Sequence, residues 1–68
     1  MNTRFDNDMK LMETNQEAYA TVILRERQAE LQQIERQGRA CKNRFRLECL
    51  AQECNRLKRE YDTLDAMI

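Results

Sequence analysis

The chain has 68 residues, twelve basic and twelve acidic side chains, three cysteines, one glycine, and neither histidine nor proline. A domain of this size buries little core, and the scarcity of glycine and proline leaves almost no turn chemistry for a sheet. Without histidine, a glycine-rich phosphate loop, a serine elbow or a metal-ligand cluster, the sequence reads as a non-enzyme that uses no cofactor and no metal.

In chain order, residues 1–13 form an N-terminal arm, either a short helix or frayed. Thr14 and Glu17 then make an S/T-x-x-E capping box, which predicts a long helix starting near Thr14 or Asn15. Its predicted span is 14–37. Tyr19 and Ile23 share one apolar register with Phe5, Met9 and Met12, while Leu24, Leu31 and Ile34 follow a neighbouring one. Leu11, Ala18 and Val22 add a second apolar patch roughly 100–120° away around the helix, wider than a two-helix contact requires. These three are read as partner-binding residues.

Gly38 is the only punctuation inside the chain and divides it into nearly equal halves. Glycine just past a helix end is a common left-handed cap, so the predicted bend lies at residues 37–40. A second helix is predicted over 40–67. It carries the strongest pattern in the sequence: Leu47, Leu50, Cys54, Leu57, Tyr61, Leu64 and Ile68, at steps alternating between three and four. Such a ladder keeps one stripe apolar over about six turns, the pattern of a coiled-coil seam. Its first partner is the predicted helix 14–37, through Tyr19, Ile23, Leu31 and Ile34. The expected fold is therefore all-α: an antiparallel, coiled-coil-like helical hairpin, residues 14–68, completed by self-association or by a partner.

Cys41, Phe45 and Cys49 form a separate stripe near the bend, ringed by Arg39, Lys42, Arg44 and Arg46. An aromatic between small thiols with a basic rim fits either an interface anchor or a cap on the hairpin core. The cysteines are odd in number and, on a helix, too far apart or misdirected for an intrachain bridge. Reduced thiols, a leader-free start and no roughly 20-residue apolar run point to a cytoplasmic protein that does not span a membrane.

Charge is uneven: residues 1–20 carry a net −2, residues 21–46 a net +4, and residues 47–68 a net −2. A hairpin therefore has one basic pole and one acidic pole. The stretch Leu31-Gln32-Gln33-Ile34-Glu35-Arg36-Gln37-Gly38-Arg39-Ala40-Cys41-Lys42-Asn43-Arg44-Phe45 resembles the small helical-hairpin co-chaperones of type III secretion needle subunits. The likeness spans roughly residues 15–66. It departs from their pattern in having one glycine where a pair is common, and a longer acidic arm. The resemblance implies a secretion co-chaperone or adaptor that stabilises a helical-repeat partner chaperone and thereby keeps a needle subunit monomeric. Two other readings stand beside it. One is a self-associating helical-bundle regulator of phage or plasmid type. The other is a nucleic-acid-binding accessory protein using the basic bend.

Overall fold

A computed structural model describes residues 3–68 as three α-helices: α1 (Thr3–Thr14), α2 (Gln16–Ala40) and α3 (Arg44–Asp65). The protein is all-α, with no strand among the described residues. The described part of the N-terminal arm is helical, as α1. It turns sharply into α2 at Asn15, whose side chain accepts a hydrogen bond from the Ala18 N–H at 3.3 Å. Asn15, rather than Thr14, is thus the cap of α2. The Thr14 hydroxyl donates back to the Lys10 carbonyl at 2.7 Å and finishes α1 instead.

The turn between the long helices falls later than Gly38. Gly38 is helical, no described residue has positive φ, and α2 runs on to Ala40. The break comes at Cys41, whose backbone is extended (φ −82°, ψ 130°), and Asn43 opens α3 by accepting from the Arg46 N–H at 3.1 Å. Physically, a strong asparagine N-cap decides where α3 begins. The preceding helix then propagates through glycine at a cost of about 1 kcal/mol.

α2 and α3 pack as an antiparallel pair, and α1 folds back over only one end of it. The buried apolar side chains are Met12, Ile23, Leu57 and Leu64, all in this three-helix base. Phe5, Met9, Ala20, Leu24 and Met67 close around Met12, Ile23 and Leu64. Beyond the base, α2 and α3 continue as a two-helix arm with no fully buried side chain from Gln28 to Arg56. The molecule is correspondingly long, 42 × 22 × 16 Å, with a radius of gyration of 13.5 Å. A compact chain of this length has a radius near ~11 Å. Its accessible surface is 5406 Å², against roughly 4500 Å² for a folded monomer of its mass.

Candidate functional site: a charged knot and an open groove

The base is organised by one side chain. Arg27 is 1 % exposed and stands at the meeting point of all three helices. Its Nε donates to Asp8 Oδ2 of α1 at 2.9 Å, and its Nη1 donates to Glu60 Oε1 of α3 at 2.8 Å. Nη2 also lies 2.8 Å from Asp8 Oδ2, but not along an N–H direction, so that contact is ionic only. The Phe5 ring lies under the guanidinium, 5.7 Å from Cζ to centroid, within cation–π range. Arg56 completes the knot by donating to Glu60 Oε2 at 3.0 Å. At the margin, Arg4 ties α1 to Glu30 of α2 at 2.6 Å.

Burial alone would raise the pKa of Glu60. The hydrogen bond and charge of Arg27, with the charge and hydrogen bond of Arg56, outweigh it and hold the carboxyl below its ordinary 4.5. A carboxylate favoured in the folded state contributes stability above its unfolded pKa, lost as pH falls through the lower folded value. Melting temperature is therefore expected to begin falling once pH drops below 4.5, and Glu60→Gln should flatten this part of the acid limb. Thermal melts from pH 7 to 2.5 check it.

Sequence reasoning missed this knot, although a signal was present. Arg27 sits seven residues from both Ala20 and Ile34, and Glu60 lies between Leu57 and Leu64 at seam spacing. Charges at such positions face helices, not water.

The structure spreads the expected seam residues over a gradient. Ile23, Leu57 and Leu64 are buried; Leu31, Ile34, Leu50, Cys54 and Tyr61 are half-buried; Leu47 and Tyr19 are exposed. Of the residues expected to face a partner, Cys41 is half-buried and Leu11, Ala18, Val22, Phe45 and Cys49 are exposed. Leu11 and Tyr19 share a shallow hollow with Lys10 and Thr14. Phe45 is 75 % exposed and so does not cap the hairpin core. It is not joined to Leu11 or Val22, which lie at the opposite end of the long axis.

What the hairpin does bring together is a groove. Near the tip it is lined by Ile34, Gly38, Leu47, Leu50, Ala51 and Cys54, enclosing about 180 Å³ with an almost wholly apolar wall. It continues towards the base past Leu31, Gln28, Lys58, Tyr61 and Asp62, with Glu35 and Cys54 shared by both stretches. Arg27, Glu60 and Leu64 point to the flank that α1 covers. At about 100° per residue, Gln28 and Glu35 of α2 lie roughly 80–100° around the helix from Arg27, and Ala51 and Lys58 of α3 roughly 160–180° from Glu60, and no α1 residue lines either stretch. The groove therefore runs along the face that α1 leaves bare.

Gly38 acquires meaning here. A Cβ built on it meets nothing within 4 Å, so neither backbone conformation nor intrachain packing requires glycine. Together with Ala51 it lowers the groove floor, allowing another backbone to approach closely.

No protein-family model matches the chain, and neither do any curated proteins or solved structures. Among the described residues there is no group of three or more metal-ligating side chains, and no helix is long and apolar enough to cross a membrane.

Proposed function

We propose that this protein is a non-enzymatic protein–protein interaction module that works by accepting a helix in the groove between α2 and α3. The observation that carries the reading is the open apolar groove itself, floored by a glycine for which the isolated chain has no use. The base supports it: the knot around Arg27 fixes the angle of the two long helices without needing anything on the far face. The arm beyond it is a coiled-coil pair with half its seam in water, an arrangement that another helix would complete. The co-chaperone role is the form of this reading in which the occupant belongs to a partner chaperone.

A photo-crosslinking residue placed at Ala51, in the groove, is expected to give discrete protein adducts in the host cell. The same residue at Arg25, on the outer surface, should give none. Equal labelling from both positions, or none from Ala51, would remove the groove as a binding face.

A further inference from the structure

We infer that the occupant of the groove is a second copy of this chain, laid antiparallel across it so that two arms close into a four-helix bundle. This rests on the reading of the groove as a helix-docking face and adds who docks there. Three features of the molecule converge on it.

Area comes first. The chain exposes roughly 900 Å² more than a compact monomer of its mass, and a stable interface removes about 800 Å² from each partner. The surplus matches one standard interface.

Charge sets the direction. Along the groove flank, helical spacing places Arg44 near the tip, and Asp62 and Asp65 of α3 with Glu17 of α2 near the base. Two grooves can face each other with tips together or with tips opposed. Tips together would crowd Arg36, Arg39, Lys42, Arg44 and Arg46 of both copies. Tips opposed set each basic tip over the acidic base of the other copy, the complementary choice.

Shape then fixes the position along the axis. Laying Arg44 of one copy beside Asp65 of the other puts Lys58 opposite Ala51, with no like charges facing. On α2 the same offset brings Leu31, a groove residue, to its own copy at the two-fold axis. Such two-fold, self-complementary pairing is the commonest closed assembly. It also brings Cys54 of both copies to the axis, within disulfide reach.

The test uses full-length chains with one cysteine each. Cys49 is exposed and Cys54 half-buried, so random encounters would oxidise Cys49 faster. The antiparallel pair reverses that order. Under copper–phenanthroline in air, the Cys54-only chain should form covalent dimer at least roughly tenfold faster than the Cys49-only chain, because pairing raises the effective thiol concentration. Light scattering should give twice the chain mass. Arg44→Asp and Asp65→Arg should each weaken the dimer by roughly tenfold, and the double variant should regain it; circular dichroism confirms that each remains helical.

Cross-linking as fast through Cys49 as through Cys54, or no rescue in the double variant, would overturn the antiparallel pair. A chain that stays monomeric while Ala51 captures a different protein would also overturn it and leave the docking function standing. A monomer with no adduct from Ala51 would remove both.

Discussion

Arg27→Ala is expected to cost about 3–5 kcal/mol, the penalty for leaving buried charge without its partner. Asp8 would then lose its guanidinium partner and Glu60 would keep only the more exposed Arg56 of the two arginines, while Phe5 would lose the guanidinium it packs against. The total stability of a chain this short is roughly 3–10 kcal/mol, so most of it would vanish and α1 would leave the hairpin. Circular dichroism melts and urea titration measure this directly. A buried ion cluster is not in itself a strong stabiliser. Changing Arg27, Asp8 and Glu60 together to methionine or leucine should recover most of the loss, since no charge is then stranded. A shift below about 1 kcal/mol for Arg27→Ala would mean that water reaches the knot and solvates its carboxylates.

Leu57→Asp is expected to abolish folding altogether. Leu57 is 5 % exposed and sits where α3 meets α2 at the edge of the base. Removing the side chain alone costs about 2–5 kcal/mol, and a carboxylate in its place adds the cost of burying a charge beside Glu60. Far-ultraviolet circular dichroism at low temperature should show a largely unfolded chain. Leu47→Asp makes an informative control. It changes the same ladder, but Leu47 is exposed at the arm, so helicity should survive while groove binding is lost. Equal damage from the two substitutions would contradict the division into a buried base and an open arm.

That division explains which parts of the fold are legible in the sequence. The unbroken three–four ladder from Leu47 to Ile68 and the near absence of turn residues announce two long helices and an all-α protein. The ladder cannot show that only Leu57 and Leu64 within it become buried, because periodicity records which side a residue faces and not what covers it. The turn was displaced for a related reason. Glycine near mid-chain suggests a left-handed cap, whereas Asn43 supplies a side-chain cap and Gly38 stays helical. The return of α1 over the base depends on Arg27 meeting two carboxylates distant in sequence, which no local pattern encodes. Of the expected binding residues, the exposed Phe45 and Leu11 lie outside the groove, Leu11 in a hollow it shares with the seam residue Tyr19. The groove itself reuses residues assigned to the intramolecular seam: Leu31, Ile34, Leu47, Leu50, Cys54 and Tyr61.

The most direct measurement is the melting temperature of Gly38→Gln in dilute solution, read beside the adduct yield from Ala51. Glutamine favours helix over glycine by up to about 1 kcal/mol, and its Cβ meets nothing in the free chain. The melting temperature should therefore rise by about 4–8 °C, while cross-linking falls because the new side chain fills the groove floor. A chain made less stable would show that Gly38 serves the fold of the isolated molecule. A chain made more stable with undiminished cross-linking would show that nothing approaches the groove there, and the docking account would fail.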